Sequence, residues 1–570
     1  MQSNIDELLA TAHQWMELDP DNAEILATEI LAAEANESWA ITALTARFSG
    51  YLTFGTAGLR APLGPGTTRM NRVVVRRAAA GIAEFALHRT TSPVIIIGYD
   101  ARHCSREFAE ESAAVFTAAG CRAKLMPSTT PTPLLAFALH RYDADVGIMV
   151  TASHNPPADN GYKVYLGARC VGPEDATGAF AQITSPTDQR IAEHIQSWNS
   201  SDTLPALATT GWEFVPEVIA DEYVISVSKF LDELSPTTQR SGLTIVYTAM
   251  HGVGAGVFCQ LMSATGFDTM ALVDQQIDPD PDFPTVAFPN PEEPGALDLA
   301  VSTANSLPET DLIIAHDPDA DRLAVAVPVG GEWHRLSGDD IGLLLGERLM
   351  PYLAANRLVL ANSVVSAPQL AKLANHAQVE HRVTPTGFKW ICRVDNLGFG
   401  YEEALGYAVV PHLVKDKDGL SAAAVLADLA AELKAAGSDL VAHLHKLSTK
   451  IGPSVTDQVS VPVPSPAVAA GLLNDLRKNP PLQLAQQGPV TVIDYANRQT
   501  NLAQEYGPMN MIEFSTEGIV HARLMIRPSG TEPKVKCYVS VSAAPGTAFG
   551  TVQAAMDGLR EEAANLINMI

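Results

Sequence analysis

Positive charge is scarce in this 570-residue chain: 38 lysines and arginines face 64 aspartates and glutamates, a formal net charge of −26. An acidic surface disfavours nucleic acid and anionic membranes as partners. It also means that a site for an anionic ligand has to gather its cations locally. Long apolar runs are missing too. No stretch of about 18 apolar residues occurs, so no membrane span is expected. The start, Met1-Gln2-Ser3-Asn4-Ile5-Asp6-Glu7, has neither a basic n-region nor an apolar h-region, and no secretory signal is expected. Cysteine is sparse. Cys104, Cys121, Cys170, Cys259, Cys392 and Cys537 are scattered with no CxxC pair, which suits reduced thiols in a cytoplasmic protein better than a disulfide scaffold. Coiled-coil heptads are absent, leaving monomer and homodimer both open.

What is present is ample apolar material, 46% of the residues, in a chain long enough for several domains. Residues 5–50 read as helices. The apolar run Val94-Ile95-Ile96-Ile97-Gly98-Tyr99 reads as a buried strand, a helix follows, and Ala123-Lys124-Leu125-Met126 and Val146-Gly147-Ile148-Met149-Val150 supply further strands. This β-α-β-α-β pattern predicts a parallel or mixed sheet with helices on its faces. Residues 185–215 are polar and pattern-poor and are expected to hold a boundary. A second α/β pattern runs to the strand Leu312-Ile313-Ile314-Ala315, and a third follows, its first helix opened by Ser337-Gly338-Asp339-Asp340. Gly452 to Ser465 reads as a Val- and Pro-rich linker into a smaller C-terminal α+β unit. The expected domains are 1–205, 206–322, 323–450 and 451–570.

Two loops carry the chemistry. Val150-Thr151-Ala152-Ser153-His154-Asn155-Pro156-Pro157-Ala158-Asp159-Asn160-Gly161-Tyr162-Lys163 would place Ser153 at the mouth of a sheet. A serine hydroxyl is a poor nucleophile until a base, a metal or cations assist it, and His154 and Lys163 are close in sequence. At Asp317-Pro318-Asp319-Ala320-Asp321-Arg322 three carboxylates alternate between apolar strands. They repel one another unless a cation is present, and hard oxygen donors without His or Cys favour magnesium, calcium or manganese. Three more segments offer anion or sugar contacts. Phe54-Gly55-Thr56-Ala57-Gly58-Leu59-Arg60 puts an arginine among small residues, and arginine pairs well with phosphate. Tyr401-Glu402-Glu403-Ala404-Leu405-Gly406 has paired carboxylates that can accept from sugar hydroxyls. Arg527-Pro528-Ser529-Gly530-Thr531 brings guanidinium, hydroxyls and backbone N–H together as an anion nest. Ser128 to Thr132 offers either a polar site or a helix N-terminus and is read as the latter, and His251 is read as a structural residue.

Together the TASHNP and DPDADR segments resemble the α-D-phosphohexomutase family, the phosphoglucomutases and phosphomannomutases. The FGTAGLR form resembles the branch that also contains phosphopentomutase-like members. The resemblance implies four domains around a central cleft, three related α/β domains with mixed sheets and a smaller C-terminal α+β domain. It implies Ser153 as a phosphoserine, one Mg2+ ion per chain on Ser153, Asp317, Asp319 and Asp321, and Arg60 beside the phosphate. It carries ligand contacts to Arg322, to Thr386, Gly387 and Lys389 of the TGxK loop, to Glu402 and Glu403, to His412 and Lys417 around the KDG motif, and to Arg527, Ser529, Gly530 and Thr531.

The implied reaction interconverts a sugar 1-phosphate and 6-phosphate, glucose foremost, through a bisphosphorylated sugar. Mannose, or a pentose 1- and 5-phosphate, is the alternative, because phosphoglucomutases usually have Ser where Ala404 stands. Lys163, crowded by cations, is expected to have a lowered pKa and to act as general acid/base, with His154 as the weaker candidate. A magnesium phosphatase and a non-catalytic sugar-phosphate sensor are the rival readings.

Overall fold

Val94–Tyr99 opens with four β-branched residues, and Ile95, Ile96 and Ile97 are completely buried. Such a strand needs cover on both faces, as in a sheet packed between helices. The structure, a computed structural model, describes residues 2–56, 58–201, 203–307, 309–528 and 534–568. Around Val94–Tyr99 it builds a six-stranded mixed sheet. Arg122–Leu125 and Val146–Val150 flank that strand in parallel. Asp159–Leu166 returns antiparallel to Val146–Val150, and Leu59–Pro62 pairs antiparallel with it at the edge. The hairpin joining Val146–Val150 to Asp159–Leu166 is the segment that contains Ser153.

The chain divides into two units, Met1–Pro328 with Gly406–Ala427, and Val329–Leu405 with Asp428–Ile570. The first also holds a second mixed sheet. Thr244–Thr248 lies parallel to Thr269–Leu272 and to Leu312–His316, and Leu323–Val329 runs antiparallel to Leu312–His316. The turn between these last two strands is the Asp loop. The N-terminal residues form three helices, Gln2–Leu18, Ala23–Glu34 and Ser38–Phe48, with a core of their own around Trp15, Leu26, Ile30 and Leu44.

The second unit contains three parallel strands of a four-stranded sheet, with Val359–Ser363 between His381–Thr384 and Leu397–Glu402. It also holds a C-terminal antiparallel sheet whose strands run in the order Ser454–Pro462, Lys534–Ser542, His521–Pro528, Ile512–Thr516, Thr491–Asp494. The helix Gly338–Asn356 starts where its sequence indicates: Ser337 Oγ accepts from Asp340 N–H and the Asp340 carboxylate accepts from Ser337 N–H, a capping box. These sheets bear out the reading of three α/β domains and a C-terminal domain with an antiparallel sheet. Among the described residues no helix is long and apolar enough to cross a membrane.

Two segments differ from expectation. Residues 185–215 are not merely a polar connection: Thr187–Asn199 is a helix whose Ile191 and Ile195 are buried. It packs on Arg72–Leu87 so closely that a Cβ on Gly81 would come within 2.6 Å of Ile195. Ser454–Pro462, read as a linker, is a nine-residue strand paired along its whole length with Lys534–Ser542. Ile195→Ala should cost about 2–4 kcal/mol. Calorimetry would show this as a lower-temperature first unfolding transition, and an unshifted transition would show that the helix is not anchored there.

Candidate active site

The serine and the aspartates of the first unit lie just beyond strand ends. Ser153 follows Val146–Val150 and lies in the left-handed backbone region, at φ 51°. Its N–H donates to Thr151 Oγ1 at 2.9 Å, and its own hydroxyl donates to Asp317 Oδ2 at 2.8 Å. The Asp loop follows Leu312–His316, and Asp317, Asp319 and Asp321 are all buried. One carboxylate oxygen from each lies within 4.8 Å of the others. Thus the two loops that look separate in sequence meet through the Ser153–Asp317 hydrogen bond.

Cations crowd this acidic centre. Lys163, on the strand Asp159–Leu166, sets Nζ 2.6 Å from Asp319 Oδ2 and 2.9 Å from Asp321 Oδ2. Lys417 Nζ lies 3.1 Å from Asp321 Oδ2. Arg322 Nε is 4.0 Å from Asp317 Oδ2 and 3.9 Å from Asp321 Oδ1, and its N–H donates to Asp317 Oδ1. Arg60 Nη1 donates to Asn155 Oδ1 at 3.1 Å. Gly58, two residues earlier, has φ 74°, and a Cβ there would stand 1.8 Å from Tyr162 O, so only glycine lets the Arg60 strand approach Asp159–Leu166 this closely. Gly419 plays the same part for the Lys415–Gly419 turn, since a Cβ would meet Arg322 O at 2.4 Å.

Burial and mutual repulsion push the Asp317 carboxyl well above its ordinary range. Burial acts upward on Asp319 too, but Lys163 and its hydrogen bonds more than offset this and hold it low. Lys163 departs from expectation. Burial pulls its pKa down, yet Asp319 and Asp321 outweigh that and the net direction is up. Its neighbours are carboxylates as well as cations, so it is held as an ammonium rather than primed as a base. His154 goes the other way. Burial, then the charges of Arg322 and Arg60, press its pKa well below the ordinary value, and its neutral Nδ1 lies 3.3 Å from Ser153 Oγ.

The triad fits a hard divalent cation. Its donors are all oxygen, and Asp319 Oδ1 and Asp321 Oδ1 are buried with no hydrogen-bond partner among the described residues.

Two contributors lie outside the loops read as carrying the chemistry. Thr132 opens the helix Thr132–Arg141, as expected of a helix N-terminus, but its Oγ1 also donates to Asp319 Oδ2 at 2.6 Å. His316, just before the triad, is fully buried, with Nε2 3.0 Å from Gly419 O and Nδ1 3.1 Å from Tyr247 OH. It ties the strand Leu312–His316 to the turn that carries Lys417. His412 faces elsewhere: its ring lies 6.0 Å from Phe230, and burial lowers its pKa. His251 is structural, bonded to Thr285 Oγ1 at 2.8 Å.

In the second unit Glu403 and Arg527 lie within electrostatic reach of each other. Glu403 Oε2 accepts from Ser363 Oγ at 2.8 Å and Ser366 Oγ at 3.0 Å. Burial and then Asp339 raise its pKa, while Arg527 draws it down. Glu402 ends the strand Leu397–Glu402. Arg527, at the end of His521–Pro528, donates to Tyr538 OH at 3.1 Å. Gly387, at φ 109°, is the N-cap of the short helix Phe388–Ile391 that carries Lys389, with Thr386 just before it. Ser529, Gly530 and Thr531 lie outside the described residues.

Models of the phosphoglucomutase/phosphomannomutase alpha/beta/alpha domains I, II and III match residues 51–196, 221–330 and 337–447. The chain belongs to the phosphoglucomutase/phosphomannomutase family. Members of this family are phosphosugar mutases, isomerases that move phosphate within one sugar. The chain is 41% identical over 473 residues to a probable phosphomannomutase of Haemophilus influenzae, covering 82% of this chain and 92% of that protein. It is 32% identical over 590 residues to a phosphoribomutase of Saccharomyces cerevisiae, covering 93% and 92%. Its fold is similar to that of a putative phosphomannomutase from Thermus thermophilus, with TM-score 0.67 at 21% identity over 90% of this chain and 99% of that one.

Neutral His316 is part of the mutase fold, and burial depresses its pKa from 6.5 to about 4. The unfolded ring takes up a proton first, so this contribution is complete above pH 6.5 and is lost as the pH falls toward 4. It amounts to about 3 kcal/mol. Between those pH values the unfolding temperature of His316→Gln should fall less than that of the wild type. Equal slopes would contradict this.

Proposed function

We propose that the chain interconverts a sugar 1-phosphate with the 6-phosphate of the same sugar, glucose being the leading candidate, and that Ser153 stores the phosphoryl group between turnovers. The carrying observation is the Ser153 hydroxyl held 2.8 Å from Asp317 inside a buried acidic triad ringed by Arg60, Lys163, Arg322 and Lys417. Phosphoryl transfer is chiefly positioning and charge stabilisation, and this arrangement supplies both.

Phosphorylated Ser153 gives its group to the free hydroxyl of the bound sugar phosphate. The Ser153 Oγ–P bond breaks, a bond from phosphorus to the sugar oxygen forms, and the sugar becomes a bisphosphate. After the sugar turns over, the bond from its oxygen to the other phosphorus breaks, that phosphoryl group bonds to Ser153 Oγ as the hydroxyl proton leaves, and the freed sugar oxygen takes up a proton. His154, neutral and close to Ser153 Oγ, handles the proton on that oxygen. Lys163 keeps its charge, orients Asp319 and Asp321, and offsets negative charge as it moves. Arg60 and Arg322 lie beside the same centre and suit the transferring phosphate. Asp317, Asp319 and Asp321 would hold a Mg2+ ion, with Ser153 as the fourth ligand, and the ion would supply charge neutralisation at the transferring phosphate.

In the other unit, Glu402 and Glu403 suit sugar hydroxyls, Thr386, Gly387 and Lys389 the ligand, and Arg527 the phosphate that is not being transferred. Family membership favours this reading over a phosphatase or a sensor.

A second reading, a pentose 1- and 5-phosphate, is favoured by one residue. Ala404 replaces the hydroxyl that phosphoglucomutases usually present, which removes one sugar contact and relaxes the demand for a hexose. Both readings are tested by parallel kinetics of wild type and Ser153→Ala on glucose, mannose, ribose and deoxyribose 1-phosphates, each with its catalytic bisphosphate. Wild type should turn glucose 1-phosphate over fastest, and Ser153→Ala should lose at least about 10³-fold on every sugar. A faster pentose reaction would transfer the assignment to the second reading. Full activity without the Ser153 hydroxyl would end both.

A further inference from the structure

Ser153, at φ 51°, holds a backbone conformation that is unfavourable for a non-glycine residue and persists only where the surroundings over-determine it. The atoms on either side of its Cα are both fixed by side chains. Its N–H donates to Thr151 Oγ1, and its carbonyl accepts from Arg102 Nη2 at 2.6 Å.

Arg102 does much more than this. The same Nη2 donates to Asn155 O at 2.6 Å, and Nη1 donates to Pro156 O at 2.8 Å and Asp159 O at 3.2 Å. The whole 153–159 loop is therefore wrapped around one guanidinium whose side chain is 1% exposed. Asp100, equally buried, balances the charge, with Oδ2 at 3.5 Å from Arg102 Nε and Oδ1 accepting from Arg102 N–H and Ser105 Oγ. The ring of Phe283 lies under the guanidinium, 4.9 Å from its carbon.

Burying an ion here is costly unless partners compensate it. Simple loop closure does not require a charged group, whereas four convergent carbonyls require a planar, many-armed donor. We propose that Arg102, set by Asp100 and Phe283, is a positioning residue for phosphoryl transfer: it holds Ser153 Oγ at the Asp loop by gripping the loop's carbonyls and does not touch the sugar. This rests on the reading of Ser153 as the phosphate carrier.

The test compares the full-length Mg2+-loaded enzyme with Arg102→Lys, which keeps charge but loses the fork, with Phe283→Leu, and with His103→Ala as a control on the same turn. Arg102→Lys should lower kcat about 10- to 100-fold with KM for the sugar 1-phosphate unchanged. Amide hydrogen exchange across residues 153–159 should quicken while the helices flanking the first sheet keep wild-type protection. Phe283→Leu should move both readouts the same way by less, and His103→Ala neither. Wild-type kcat and loop exchange in Arg102→Lys would overturn the proposal, as would a KM effect at unchanged kcat. Should Arg102→Lys not fold, Phe283→Leu decides by the same two readouts. Loop exchange is compared between wild type and variant in the same dephosphorylated state, so absence of phosphoserine in the wild type would defeat the carrier reading while exchange still judged the clamp.

Discussion

Three carboxylates forced into one buried corner are the constraint on which the rest of the first unit depends. Asp317, Asp319 and Asp321 cannot all remain charged there without cations, because repulsion and desolvation act in the same direction. The chain meets this with groups drawn from distant segments: Arg60 from an edge strand, Lys163 from the strand after the serine loop, Arg322 from the Asp loop itself and Lys417 from the 406–427 segment. A molecule with net charge −26 thereby builds a locally cationic rim around an acidic centre. That combination is hospitable to a divalent ion and a phosphate at once.

The fold supplies the geometry by a repeated device, a polar loop at the end of an apolar strand. Ser153 follows Val146–Val150, Asp317 follows Leu312–His316, and Arg102 follows Val94–Tyr99. Strands with buried faces cannot slip by one residue without exposing their apolar side chains, so the loops they end in are held in register. Tyr165 extends the same logic, its hydroxyl donating to Asp416 at 2.6 Å and so anchoring the Lys417 turn to the serine-loop strand.

Much of this is legible in the sequence because it rests on strong local signals. The apolar strands, the capping box at Ser337, the serine loop and the alternating aspartates all carry their chemistry in adjacent residues. What escapes is either weakly patterned or made by tertiary contact. Thr187–Asn199 has only Ile191, Ile195 and Trp198 as its large apolar residues, too few to stand out from polar text. Ser454–Pro462 is an edge strand with much of its surface exposed. Thr132, Arg102 and His316 gain their roles from partners far along the chain, and nothing adjacent marks them. For Lys163 the sign of the pKa shift is decided by which neighbours come nearest, and Asp319 and Asp321 do. His412 lies beside a motif in sequence while its ring packs on Phe230.

The central claim is that the Ser153 hydroxyl is the resting place of a transferable phosphoryl group. Intact-mass measurement with peptide mapping, before and after exposure to a sugar 1,6-bisphosphate and then to excess sugar monophosphate, tests it most directly. The account predicts a gain of one phosphoryl group confined to Ser153, followed by its loss to the sugar. A protein that never acquires phosphate there, or acquires it on another residue and remains fully active, would contradict it.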